Sequence, residues 1–212
     1  MRIKRFLLYD VYHLKRVRYD GEHKQKTRDR VLTVAARAIR AEGPDRVGVA
    51  GVMRKAGLTH GGFYAHFASK DAMVAAAIEK MFDESHARWL AETESRDATD
   101  GLRTFIDSYL SVAHRDGRAV GCPIAALLAD LPRMSASCRR AFANGSRRLN
   151  AMLAAHLETM DYEDADALAG SIIAELVGAV ALARGEPDRA RSEKLLAASR
   201  RLLKRRLGLE ER

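Results

Sequence analysis

At 212 residues the chain has room for one domain or two, and an apolar share of 47% is ample for a packed core. Its two cysteines, Cys122 and Cys138, fit a reducing cytoplasm, the Phe6–Tyr9 run is too short for a signal-peptide core, and no apolar run approaches the roughly 20 residues that cross a bilayer. The formal charge of +9 is unevenly placed: residues 1–70 hold 16 Lys/Arg against 6 Asp/Glu, a net of +10, whereas residues 71–212 hold 21 against 22, a net of −1.

A basic segment beside a neutral remainder is the footprint of a duplex binder, or plain solvated surface where no motif accompanies it. In chain order, residues 1–24 read as a flexible extension. Within it, residues 1–16 are either an upstream mis-start, with Val17 as the true initiator, or a genuine arm adding phosphate contacts. Next, Val31, Val34, Ala35, Ala38 and Ile39 repeat at three-four spacing, the one-sided stripe of an amphipathic helix ending near Gly43. A second helix closes on Ala56-Gly57, where Gly57 suits the left-handed conformation of a C-terminal turn, and Leu58 faces inward. Thr59 is placed to cap the following helix through its hydroxyl, and the free amides of residues 60–62 then form a phosphate site. Gly61 and Gly62 cost roughly 1 kcal/mol each in a helix against alanine, a cost that makes sense where backbone presses on another surface. Phe63 and Phe67, four apart, pack inward and leave His60, Tyr64 and His66 outward; Ser69, with Lys70 beside it, caps the next helix. A short second helix whose start reaches outward is the layout of a helix-turn-helix.

The remainder reads as helix throughout. A long helix runs from Ser69 through Met73, Ala77, Met81 and Trp89 to about Thr93. Asp97 or Asp100 starts a helix bearing Leu102, Phe105, Ile106, Tyr109, Leu110 and Ala113, and a Gly-rich loop, Asp116 to Gly121, follows. A short helix runs from Pro123 to near Pro132, and another from Ser135 carries Phe142, Leu149, Met152, Leu153 and Leu157. Two more close the chain, around Ala165–Ala183 and Pro187–Leu207. With no period-two run, the expected class is all-α, with about nine helices and no sheet. Leu168, Ile172, Leu176 and Val180 stripe one terminal helix, and Leu195, Leu196, Leu202 and Leu203 the other. These stripes suit either a four-helix interface between two copies or packing within one copy.

The set Thr27-Arg28, Gly43, Ala56-Gly57, Gly61, Tyr64, Phe67 and Ser69-Lys70 resembles, in order and spacing, the DNA-binding domain of the TetR family of bacterial transcriptional regulators, in its AcrR-like branch. The resemblance covers Thr27 to about Ala77, with Val47-Gly48, Met53 and Ala65 as departures from the pattern. It implies a three-helix DNA-binding head over 25–75, a ligand-binding and dimerisation body over 76–212, and repression as a homodimer joined through the last two helices. Such a dimer reads a pseudo-palindromic operator with recognition elements about 34–36 Å apart. Arg28, Tyr64, His66 and Lys70 are then expected on phosphates, Thr59 and His60 on base edges, and Gly61 and Gly62 at close backbone approach.

In the body, Trp89, Phe105, Tyr109, Met152 and His156 lie on inner stripes and are candidates for the pocket of a small, mostly apolar effector that releases the DNA. Ordinary core packing is the other reading of each. Cys122 stands where a loop meets a helix start, which makes a thiol-reactive regulator, or one that needs no ligand, the alternative. An enzyme is not expected: there is no His-Glu-x-x-His pair, Gly-x-Ser-x-Gly elbow, phosphate-binding glycine loop or zinc spacing, and no metal, cofactor or membrane partner is called for. The acids Asp161, Glu163, Asp164 and Asp166 suit a helix start, and the place of action is the cytoplasm.

Overall fold

The computed structural model describes the backbone of residues 4–210 and the side chains of residues 22–210. Among the described residues the chain is all helix, without a strand. It comprises α1 (Lys4–Glu42), α2 (Val49–Lys55), a 3-10 segment (His60–Ala65), α3 (Lys70–Thr93), α4 (Ala98–Tyr109), α5 (Val112–Asp116), α6 (Pro123–Leu127), α7 (Ala136–Glu158), α8 (Ala165–Gly185) and α9 (Arg189–Arg206), with further 3-10 turns at Arg118–Val120 and Leu131–Arg133. The α1 helix is continuous through position 24, within the extension expected over residues 1–24; residues 1–3 and the side chains of residues 1–21, which include the mis-start or arm expected over residues 1–16, lie outside the described residues.

The head forms as its local chemistry dictates. Gly57 adopts φ +71° and ends α2 with a paired set of bonds, Leu58 N–H to Met53 carbonyl at 2.9 Å and Gly57 N–H to Arg54 carbonyl at 3.0 Å. Phe63 and Phe67 are buried, their rings stacked with centroids 5.5 Å apart, against Met53, Val31 and Ala35 in the same core. Ser69 caps α3, its hydroxyl accepting from the Ala72 N–H at 3.1 Å.

Thr59 corrects the sequence reading. It occupies the cap position, but its hydroxyl accepts no capping bond, because the segment it precedes is a 3-10 helix whose Gly62 N–H bonds to the Thr59 carbonyl instead. The two caps therefore predict different stability costs. Ser69→Ala should lower unfolding stability by about 1 kcal/mol, whereas Thr59→Ala should cost well under half of that; denaturant midpoints of the two variants check this.

The α3 helix, about 36 Å long at 1.5 Å per residue, is the spine of the molecule. Its first half packs on α1 and its whole length on α7, so the head and the near half of the body share one buried core running from Val31 to Val177. At the α3–α7 crossing, Gly145 lets the helices approach over the buried ring of Phe82, which also meets Phe142 edge-on at 5.5 Å. A second core lies beyond it, around Trp89, Ile106, Leu157, Leu176 and Leu203.

Two other expectations change. The apolar run through Ala113 is not one helix: α4 stops at Tyr109, and the Ser111 hydroxyl accepts from the His114 N–H at 3.1 Å, starting α5 as a separate turn. Ile172, Leu176, Val180, Leu196 and Leu203 of the terminal stripes are buried within their own copy. Exposed on α8 and α9 are Gly170, Ala174, Ala181, Leu182 and Leu202, with Leu182 65% exposed, beside charged residues such as Asp166, Arg191, Glu193, Lys194 and Arg201. The α8 helix is also long and apolar enough by composition to cross a membrane, contrary to the reading of the bare sequence, and less than half of that apolar stretch is buried. The core helix of a soluble protein meets the same test.

Candidate nucleic-acid interface and effector cavity

The first site is the outer face of the 3-10 segment and its flanks. Packing Phe63 and Phe67 inward forces their neighbours out: Tyr64 is 72% exposed, and Thr59, His60 and Gly61 are exposed as well. Among the described residues, no atom lies within 4 Å of a Cβ added at Gly61, and one added at Gly62 would make only ordinary contacts at 3.8 Å. The fold itself leaves room for side chains there.

Basic groups converge beside this face. The Arg28 guanidinium lies over the Phe67 ring, 4.9 Å from its centroid, joining α1 to the segment. Burial, together with the positive charges of Lys24 and Arg28, holds the His66 imidazole below its ordinary range, and its Nδ1 is buried without a partner. Lys24, one helical turn before Arg28, belongs to this cluster and escaped the sequence reading; the i, i+4 pair was the available signal. Lys70, half-buried at the first position of α3, completes the rim.

The second site is a cavity of roughly 240 Å³ inside the body. On α3, Ser85, Arg88, Trp89 and Glu92 repeat at three-four spacing and form one wall; Phe105, Ser108 and Tyr109 of α4 face them. Cys122 from the loop, Met152 of α7, and Ile173 and Leu176 of α8 close it. Trp89 and Phe105 meet edge to face at 4.7 Å, and Phe105 and Tyr109 are 5.8 Å apart.

Five of the six expected pocket residues, Trp89, Phe105, Tyr109, Cys122 and Met152, thus surround one space. His156 does not line it: its ring sits behind Trp89, edge to face at 5.1 Å, and its Nε2 bonds to the Ala98 carbonyl at 2.8 Å. The sequence reading missed Glu92, Arg88, Ser108 and His114, polar residues whose cover comes from other elements.

His114 holds the loop wall. Its Nδ1 pairs with the Tyr109 carbonyl at 2.7 Å and its Nε2 accepts the Cys122 N–H at 3.1 Å, which fixes a neutral ring. Burial lowers its pKa to about 4, against a smaller opposing effect of the Tyr109 carbonyl. Cys122 itself is buried. Burial likewise raises the Tyr109 phenol well above its ordinary value and the Glu92 carboxyl above its own, the latter opposed by a hydrogen bond from Ser108.

Arg40 joins α1 to the middle of α3 and to the loop beside the cavity. It is 2% exposed at the end of α1 and makes three contacts on two elements: the Met81 carbonyl at 3.1 Å and the Glu84 carboxylate at 2.7 Å on α3, and the Ala119 carbonyl of the loop wall at 3.5 Å. Burial lowers its pKa, partly offset by Glu84. The loop is fixed from the cavity side as well, since Arg88 donates to the Val120 carbonyl.

Comparison with known proteins gives the family of the chain. Residues 31–77 match the model described as bacterial regulatory proteins, tetR family, and residues 98–200 match that of the LmrA/YxaF-like transcriptional regulator C-terminal domain. Over 86 residues the chain is 34% identical to the HTH-type transcriptional regulator TtgR of Pseudomonas putida, a stretch spanning 41% of this chain and only 40% of that relative. Two crystal structures share the fold along nearly the whole chain. E. coli NemR in its reduced form has a TM-score of 0.74 and 23% identity, covering 85% of this chain and 97% of NemR. A TetR transcriptional regulator from Chloroflexus aurantiacus has a TM-score of 0.72 and 26% identity, covering 86% and 94%. With the helix-turn-helix matched in the head and a regulator domain matched in the body, this chain belongs to the TetR family of transcriptional regulators.

Proposed function

We propose that the protein is a repressor that binds a pseudo-palindromic operator as a homodimer in the cytoplasm and is released by a small, mostly apolar effector held in the body cavity. The head over 25–75 binds the DNA and the body over 76–212 takes the effector and the second copy. One observation carries this: a single helix, α3, begins at the basic rim with Lys70 and walls the cavity with Trp89 and Glu92 near its other end. Whatever fills the cavity bears on the rod that positions the recognition segment, with Arg40 as a second link through the loop. An effector with a differential affinity of ~1–3 kcal/mol for the released state would give roughly 5–150-fold derepression.

In this reading Arg28, Tyr64, His66 and Lys70 contact phosphates, Thr59 and His60 contact base edges, and Gly61 and Gly62 let the backbone approach the groove. The room left at Gly61 supports it, since the fold alone does not call for glycine there. Fluorescence anisotropy with duplexes from the protein's own promoter tests the roles. Lys70→Ala should weaken binding to every sequence and reduce the salt slope by about one unit. His60→Ala should instead relax sequence preference, by ~1–3 kcal/mol at one base pair. Changes in specificity alone for both variants would refute the assignment.

The second copy is assigned to the outward faces of α8 and α9. Gly170, Ala174 and Ala181 let two helices approach closely, and a Cβ added at Gly178 or Gly185 would meet nothing in its own copy. Exposed Leu182 and Leu202 supply apolar area beside them.

A further inference from the structure

We propose that the effector is an aromatic cation, a protonated amine whose N–H group pairs with Glu92 while its ring lies among Trp89, Phe105 and Tyr109. This rests on reading the cavity as the effector site and adds the chemical class of its occupant. The argument is a count of donors and acceptors in the wall. Glu92 Oε1 accepts from the Ser108 hydroxyl at 2.7 Å, whereas Oε2 is buried and receives no hydrogen bond. A carboxylate offers about four acceptor positions, so most of its capacity is unused. The Tyr109 hydroxyl oxygen is likewise buried, with the Cys122 thiol beside it and no stronger partner.

The donors in the wall are engaged in part, and those of Arg88 and His114 are turned toward the loop. The Arg88 guanidinium donates to the Val120 carbonyl on the loop side, and both ring nitrogens of His114 are engaged by Tyr109 and Cys122. The remaining wall is mostly apolar, from Leu149, Met152, Ile173 and Val177, with the hydroxyls of Ser85 and Ser111 among them. An occupant that brings its own donor satisfies Glu92; an anion would place a second negative charge beside it. Stranding a buried carboxylate oxygen is costly, and a ring quadrupole favours a cation over an anion near Trp89. Arg88 is the cationic side chain in the wall and Arg96, one turn beyond Glu92, adds a second positive charge nearby; burial raises the Glu92 pKa against Ser108 and both arginines.

Three ligands of one shape separate the possibilities: 1-naphthylmethylamine, protonated at neutral pH, 1-naphthylmethanol and 1-naphthoate. Isothermal titration calorimetry of each into the full-length, DNA-free protein should show the amine binding about tenfold or more tighter than the alcohol, with naphthoate weakest. Glu92→Gln, which keeps the shape and removes the charge, should lower amine affinity roughly 10- to 100-fold and leave the alcohol within about twofold. Arg88→Gln keeps Glu92 and removes the opposing charge, so it should tighten amine binding by about two- to fivefold. Equal affinity for amine and alcohol, strongest binding of naphthoate, an equal loss of both neutral and cationic ligands in Glu92→Gln, or a lost amine preference in Arg88→Gln would overturn the proposal. Release from promoter duplex, followed separately, tests the effector reading: an amine that binds through Glu92 without releasing DNA leaves the subsite standing and removes only that reading.

Discussion

Leu182→Arg is expected to abolish operator binding at working concentrations while leaving each protomer folded. The side chain is 65% exposed in the single copy, so arginine there costs the monomer little. In the proposed dimer it lies in an apolar seam between α8 and its symmetry mate, where two buried like charges without partners would oppose association strongly. The consequence for DNA is larger than for the interface itself. A dimer converts the second half-site contact into an intramolecular event, which adds roughly 10²–10⁴ in effective affinity. The variant should therefore sediment as a monomer, keep the parental circular dichroism, and bind promoter duplex weaker by about that factor. A variant that stays dimeric and binds normally would move the interface away from α8.

The second large effect belongs to Gly145. A Cβ built there would lie 2.1 Å from Phe82 Cδ2 and 2.2 Å from Cγ, well inside contact distance. Phe82 is 1% exposed and held edge-on by Phe142, so its ring has nowhere to retreat without opening the α3–α7 crossing. Overpacking of this kind costs about 3 kcal/mol, and Gly145→Ala should lower the thermal midpoint by roughly 6–12 °C for a chain of this length. Gly51→Ala is the control: in α2 its Cβ meets nothing within 4 Å, and better helix propensity should make it neutral or stabilising by up to ~1 kcal/mol. Because α3 carries both sites, a repacked crossing should also weaken the response to effectors.

The head was the most legible part, because its signals are local. A C-terminal glycine turn, an aromatic pair four apart and a serine cap each act within one or two helical turns, and each stands in the structure where the residues implied. Thr59 was misread for a physical reason: its cap assumed α-helical amides, and a 3-10 segment presents them differently. The break after Tyr109 was hidden because Leu110 and Ala113 prolong the apolar period, while the decisive signal, a serine at 111 able to cap, is weak against it.

Partners across the fold were harder to read. Periodicity told that Ile172, Leu176 and Val180 share a face; it could not tell that this face turns into its own domain while a face of small residues turns out. The aromatic members of the cavity wall stood out in the sequence. Glu92 and His114 did not, because a charged or titratable residue on a helix face reads as solvated until the neighbour that covers it is known. His156 stood out for the opposite reason, as a polar ring on an apolar stripe, yet the Ala98 carbonyl accounts for it.

The central claim is that a symmetric pair of these heads reads DNA sequence. Titrating the protein into a labelled duplex from its own promoter and into a scrambled duplex of equal length, at physiological salt, tests it directly. Two protomers per promoter duplex with a preference of at least about 10³-fold over the scrambled one is the expected result. Equal affinity for both duplexes would contradict it.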